Sequence, residues 1–472
     1  MRFSSTDFKA CFSALLFTVC SHSVFANGDL KITDGEHIEE GKYPYFSALT
    51  TDYIEHDSFP SNINCGGVII AGRYFLSATH CFAKDDTPTP WWSGKKPGHQ
   101  FPENAFGALK ANIVVGLEKV DFDNRKPEIF TQELNISGES SLWENSDWMF
   151  YKDIIVLDLD KYIEKDLVLD KAVYLGNYEA MIDKQSARVM GFGSTHCLSG
   201  NCSHPDGNTD YLLQTTVSLE KDCGLTSNQI PTDLDWWPSS MDELVCSTSN
   251  KFSYDDVGYS NANHGDSGGP IVVEQNGIDL TYGVTHAGIY QDETLTSTTN
   301  RVVLYQAFTG EVIKKVAPFF NSWNGPTIIK VSEIGKEITF AVQNLTPEHV
   351  NLLDDSSLKS SNNITITANS NCNKNVDTFE RCELTFTLDN DQDGFIELIT
   401  QKNTLTVAVK YEPASSSNEN VRPLNPTEGS EVGGGGEASG NGSGGGLSVY
   451  VLFFLLTTYL LRSSFSKLED RK

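Results

Sequence analysis

Gly265-Asp266-Ser267-Gly268-Gly269-Pro270 runs directly into the β-type segment Pro270-Ile271-Val272-Val273. A serine in this setting sits on a tight turn with its hydroxyl exposed. The glycines let the chain take that turn and keep side chains away from the backbone N–H groups that would face a developing oxyanion. Ser267 is therefore the candidate nucleophile. A lone Gly-x-Ser-Gly is weak evidence, whereas the complete hexapeptide is specific.

Working outward, Ser77-Ala78-Thr79-His80-Cys81 follows Cys65-Gly66-Gly67-Val68-Ile69-Ile70. A serine nucleophile needs a base within hydrogen-bond reach whose pKa lies near working pH, and histidine meets both needs. A Cys65–Cys81 disulfide would pin the loop carrying His80, and none of the chain's other histidines has such a setting. Asp153 opens Asp153-Ile154-Ile155-Val156-Leu157. A carboxylate at the start of a buried strand can hold the imidazole in one tautomer and stabilise the imidazolium. Asp158 and Asp160 are nearby rivals, but on an alternating strand Asp158 points to the opposite face.

The chain has 472 residues, more than one core usually serves. A net charge of −28 excludes nucleic acid as a partner, because a phosphate backbone demands a basic surface. Residues 1–26 read as a secretory signal: Arg2 and Lys9 precede an apolar run, and Ser23-Val24-Phe25-Ala26 supplies the cleavage site. Residues 27–31 form a stub ending in Lys31. Residues 32–323 are rich in short β-type runs broken by turn residues, which implies an all-β barrel or sandwich. Phe308, Val312, Ile313, Val316 and Phe319 then repeat at helical spacing, with Pro318 in the last turn. Residues 324–412 form a smaller β region whose size and strand spacing suit an immunoglobulin-like β-sandwich.

Residues 413–446 are a Gly/Ser-rich linker. The apolar stretch 447–461 is short for a full span, which takes about 20 residues, yet it follows only linker and reads as a transmembrane anchor. Residues 462–472, with Arg462, Lys467, Arg471 and Lys472, form a basic cytoplasmic tail. The protein is thus expected to be exported, and either anchored at the cell surface or secreted after C-terminal processing.

Removing the signal leaves Cys65, Cys81, Cys197, Cys202, Cys223, Cys246, Cys372 and Cys382. An even count in an exported chain implies disulfides, and the spacing suggests local pairs in that order, although connectivity is not fixed by sequence. The run from His196 to His204 could be drawn as a zinc site, but exported cysteines this close more often oxidise, so no metal is expected there. Asp389-Asn390-Asp391-Gln392-Asp393-Gly394 resembles the start of a calcium loop, with Asp389, Asp391 and Asp393 as the ligands. Its twelfth place is Thr400 and its flanks are β-type, so a solvated acidic turn is the favoured reading and no cofactor is expected.

The order His80, Asp153, Ser267 and the motifs around them resemble the trypsin/chymotrypsin family of serine peptidases over residues 32–323. The resemblance implies two six-stranded antiparallel barrels with the active site between them. Ile32-Thr33-Asp34-Gly35 resembles the family's new N-terminus, and Gly191-Phe192-Gly193 its Gly-aromatic-Gly segment. This implies a zymogen that a trypsin-like protease activates by cleavage after Lys31. The freed Ile32 ammonium would pair with Asp266 and order an oxyanion hole made by the N–H groups of Gly265 and Ser267. A mature N-terminus at Asn27 is the alternative. In the S1 pocket, Asn261 stands where trypsins carry an aspartate, and His286-Ala287-Gly288 where Ser-Trp-Gly is usual, with Gly288 on the pocket wall. A neutral amide lacks the charge-assisted bond to a substrate Lys or Arg. The P1 preference is therefore open between basic, polar and larger apolar residues, with Asp255 and Asp256 a possible acidic source. The Gly-rich linker, short apolar segment and basic end resemble the GlyGly-CTERM sorting signals of Gram-negative bacteria; a GPI signal and a plain single-pass anchor are the rivals. The expected activity is endopeptidase action on extracellular proteins. An inactive protease-like binding module and an esterase are the competing readings.

Overall fold

The apolar runs of the central region pair as antiparallel strands in two large sheets. The computed structural model describes residues 35–53, 63, 65–82, 109–121, 126–136, 147–163, 167–193, 210–223, 241–248, 262, 265–290, 301–353, 356–367 and 371–413. The expected signal peptide, Lys31, Ile32, Cys197, Cys202, Asp255, Asp256, Asn261 and the apolar stretch 447–461 lie outside these residues. Among the described residues, no helix is long and apolar enough to cross a membrane.

The first sheet has seven strands in the order Gln132–Ile136, Leu109–Val115, Phe46–Tyr53, Cys65–Ile70, Tyr74–Ala78, Ile154–Asp158 and Trp148–Tyr151. Cys65–Ile70 and Tyr74–Ala78 are buried along their whole length, which is why they read as unbroken apolar runs. Trp148–Tyr151 was not singled out by its pattern. It pairs with Ile154–Asp158 across the two-residue turn Lys152-Asp153, closed by a left-handed Lys152 at φ 56°. Asp153 thus lies in the turn, one residue ahead of the strand.

The second sheet closes on itself. Leu213–Glu220, Gln185–Gly191, Pro270–Gln275, Ile278–Tyr290, Arg301–Ala307 and Leu244–Thr248 pair in turn, and the last returns to the first, giving a six-stranded antiparallel barrel. Tyr45, one residue ahead of Phe46–Tyr53, donates its hydroxyl to Asp279 of the second sheet at 2.6 Å, joining the two sheets. The helix Gly310–Phe320 follows, with Thr309 as its N-cap and Asn321 closing it in the left-handed region. Val312, Ile313, Val316, Ala317 and Phe320 are its buried residues. They pack in the core of the first sheet, whereas Phe319 is only partly buried against it.

Beyond the helix are two four-stranded sheets. Inward and outward residues alternate along Arg381–Leu388 and Thr404–Tyr411, as a half-buried strand requires. Cys382, Leu384, Phe386, Leu388, Leu405, Val407 and Val409 share one core, so the sheets face each other as a sandwich. The pairing of Ile328–Val331 with Thr404–Tyr411 is parallel. In the acidic turn, Asp393 accepts from Lys410 Nζ at 2.7 Å and from the Tyr411 N–H, while Asp389 accepts from Thr365 and Thr387.

Buried and half-buried amides bond the sandwich to the two large sheets. Gln343 accepts the Leu175 N–H at 3.0 Å and donates to the Leu175 carbonyl at 2.7 Å. Asn324 accepts the Ala71 N–H and donates to the Val173 carbonyl. Asn403 donates to the Tyr74 hydroxyl and to the Phe320 carbonyl. Gln343→Ala leaves both polar groups of Leu175 buried without these partners. We expect it to lower the unfolding free energy by about 2–4 kcal/mol, read by urea denaturation; an unchanged denaturation midpoint contradicts this view of the junction.

Candidate active site

Asp153 is the centre of the site and is 5% exposed. Its Oδ1 accepts the His80 backbone N–H at 3.0 Å, and its Oδ2 lies 2.8 Å from His80 Nδ1. The Asp153 carbonyl accepts the Thr79 N–H at 3.0 Å, and the Thr79 hydroxyl donates to the Lys152 carbonyl. These bonds tie the short turn Thr79–Phe82, which carries His80, to the hairpin turn that carries Asp153. The Cys65–Cys81 disulfide anchors the residue after His80. Cys223–Cys246 and Cys372–Cys382 are also formed.

The His80 side chain is 26% exposed, so part of the ring is open to solvent. Burial disfavours its cation, but the Asp153 charge and hydrogen bond outweigh burial and raise its pKa above the ordinary value. For Asp153, burial opposes ionisation; the His80 and His286 charges and their hydrogen bonds more than offset it and hold the carboxyl well below its usual range.

Ser267 is half-buried at the head of Pro270–Gln275. Its carbonyl accepts the Gly66 N–H at 2.7 Å, fastening its loop to the first sheet. The Gly268 N–H donates to the Thr285 carbonyl and the Thr285 N–H to the Gly269 carbonyl, each at 2.8 Å, fastening the same loop to the second. Gly268 has φ 75°, and a Cβ there would lie 2.1 Å from Ser77 Oγ and 2.8 Å from the Ala78 nitrogen. Only glycine fits, and the loop therefore runs against the backbone two residues before His80.

Asp266 is 1% exposed. Its Oδ1 accepts the Gly193 N–H at 2.8 Å, and its carboxylate fills the space that Cβ atoms of Gly191 and Gly193 would occupy. Gly265, at φ 94°, abuts Gly193. Gly288 lies on Ile278–Tyr290 opposite Val303, while its expected pocket partner Asn261 is outside the described residues.

The site holds one residue whose role the sequence did not reveal. His286 Nδ1 lies 2.5 Å from Asp153 Oδ2, the same oxygen that faces His80. Reading His286 as pocket wall gave no signal of this contact. His80, Asp153 and His286 bring nitrogen and oxygen atoms within 4.8 Å of one another, and Cys65, His80 and Cys81 do the same with sulfur and nitrogen. The two sulfurs are joined in a disulfide, and both imidazole Nδ1 atoms face the carboxylate.

Asp153 and His80 give a pH signature. The lowered Asp153 pKa contributes stability that is present above about pH 3.9 and lost as pH falls through the folded value. The raised His80 pKa contributes stability that is present below about pH 6.5 and lost as pH rises through its folded value. The stability gap between the protein and Asp153→Asn is therefore widest between about pH 4 and 6.5, measured by urea unfolding across pH. A gap that does not vary from pH 3 to 9 contradicts the pairing.

Comparison with protein-family models matches residues 32–308 to the trypsin family. Among curated proteins, the chain is similar to the serine protease Hayan of Drosophila melanogaster, 25% identical over 258 residues. That match covers 54% of this chain and 34% of the fly protein, so the chain spans about a third of its relative's length.

Proposed function

The chain belongs to the trypsin family, and from that premise we propose that it is a serine endopeptidase acting on extracellular proteins through an acyl-enzyme on Ser267. The observation that carries this reading is the bonded His80–Asp153 pair with the Ser267 loop laid against the backbone leading to His80. With Nδ1–H held by Asp153, His80 presents Nε2 as a proton acceptor. Nε2 takes the Ser267 proton as Oγ attacks the scissile carbonyl. The Gly265 and Ser267 N–H groups receive the oxyanion. His80 then returns the proton to the leaving amine, the C–N bond breaks, and the acyl group stays on Ser267. Water, deprotonated by the same imidazole, releases the acid and restores the serine. An inactive binding module would have no need for a half-open imidazole fixed in one tautomer.

The same reading includes activation by a trypsin-like protease cutting after Lys31. The Ile32 ammonium would then meet Asp266, whose buried carboxylate already rests on Gly191 and Gly193. Asn261 and Gly288 are assigned to the S1 pocket, and the stretch 447–461 to a surface anchor.

Two measurements test this reading. On a peptide substrate, Ser267→Ala is expected to lower kcat/KM by about 10⁴-fold or more. The acid limb of wild-type activity is expected above about pH 6.5, because His80 must be neutral to act and its pKa is raised. Retained activity in Ser267→Ala overturns the assignment. For activation, N-terminal sequencing of the active protein is expected to begin at Ile32; active protein beginning at Asn27 contradicts it.

A further inference from the structure

His80 and Asp153 lie in turns at the ends of the first-sheet strands Tyr74–Ala78 and Ile154–Asp158, whereas the Ser267 loop enters a strand of the second sheet. A base and a nucleophile carried by different sheets react only if something fixes the distance between them. His286 lies where this can be done. It sits on Ile278–Tyr290 at a β-bulge: Thr285 pairs with Tyr305 and Ala287 with Leu304, leaving His286 as the extra residue. A bulge breaks the alternation of the strand and re-aims the side chain. The His286 side chain is fully buried and reaches Asp153 Oδ2 at 2.5 Å. Its ring centroid is 6.3 Å from that of His80, with the planes 71° apart.

An ionised carboxylate only accepts hydrogen bonds, so both imidazoles present Nδ1–H to Oδ2. Three N–H groups then hold the carboxylate: two from His80 and one from His286. Of these three, the His286 bond is the one that comes from the second sheet. Its neighbour Thr285 holds Gly268 and Gly269 through backbone bonds on either side of the loop turn. One strand of the second barrel therefore grips the nucleophile loop at Thr285 and the base's carboxylate at His286.

We infer that His286 is a positioning residue that locks the His80–Asp153 pair, carried at the ends of first-sheet strands, in register with the Ser267 loop of the second sheet. This rests on the serine-peptidase reading above. His286 touches no reacting atom; it acts through Asp153.

The test uses the activated full-length protein, ¹⁵N-labelled at histidine, and a peptide substrate. The wild type is expected to show two exchange-protected imidazole Nδ1–H resonances at low field. His286→Leu loses one of them. Its kcat falls about ten-fold or more while KM stays within about two-fold, since the fully buried His286 side chain faces Asp153 rather than substrate. His286→Asn, which can place an N–H near the position of Nδ1, regains much of that loss. A Leu variant with wild-type kcat, or an Asn variant no better than Leu when both are folded, overturns the inference. Should His286→Leu not fold, the wild-type spectrum still decides: a single low-field Nδ1–H overturns it. A wild type that cleaves peptides while these results fail sinks only the role of His286. A wild type that cleaves nothing sinks the peptidase reading and the positioning role with it.

Discussion

The buried carboxylate of Asp153 is the constraint on which the site depends. Removing a carboxylate from water is costly unless hydrogen bonds replace its hydration. Here the His80 backbone, the His80 ring and the His286 ring do so. The arrangement leaves little freedom. The turn bearing Asp153 is bonded through Thr79 to the turn bearing His80, and Lys152 beside it forms an ion pair with Glu243 of the second barrel. The His80 ring keeps one tautomer because the carboxylate that selects it cannot rotate without leaving donors unpaired.

The Ser267 loop is constrained in a different way, by backbone and the lack of side chains. Gly66 and Thr285 hold it from the two sheets, and Gly268 passes where no Cβ could. Asp266 occupies the space that Gly191 and Gly193 leave open. The His80 turn and the Ser267 loop are thus located by interactions that converge on the seam between the two sheets. The sandwich is bonded to the same body through the buried amides of Asn324 and Gln343 and the half-buried amide of Asn403. Its strands Trp323–Asn324 and Ile338–Asn344 contribute directly to that junction.

What could be read from sequence was what local chemistry dictates. Ser267, His80 and Asp153 each sit in a short motif whose glycines, cysteine or apolar strand are contiguous with them, so their settings were visible without a fold. The all-β character followed from short apolar runs and turn residues. His286 was not legible because a strand read at period two has no place for an extra residue, and the bulge is set by pairing with Arg301–Ala307. Trp148–Tyr151 was missed because Lys152-Asp153 lacks the glycine or asparagine that usually marks a tight hairpin. Gln343 and Asn324 carry no local signal, since their partners Leu175 and Ala71 lie far away in the sequence.

This geometry is expected to make Ser267 abnormally reactive. Active-site phosphonylation reads that property without needing the natural substrate. The protein, cleaved after Lys31, is treated with a fluorophosphonate and mapped by peptide mass spectrometry. A single adduct on Ser267, absent from protein in which His80 is replaced by Ala, is the predicted result. No adduct, or labelling that persists unchanged without His80, would contradict the account.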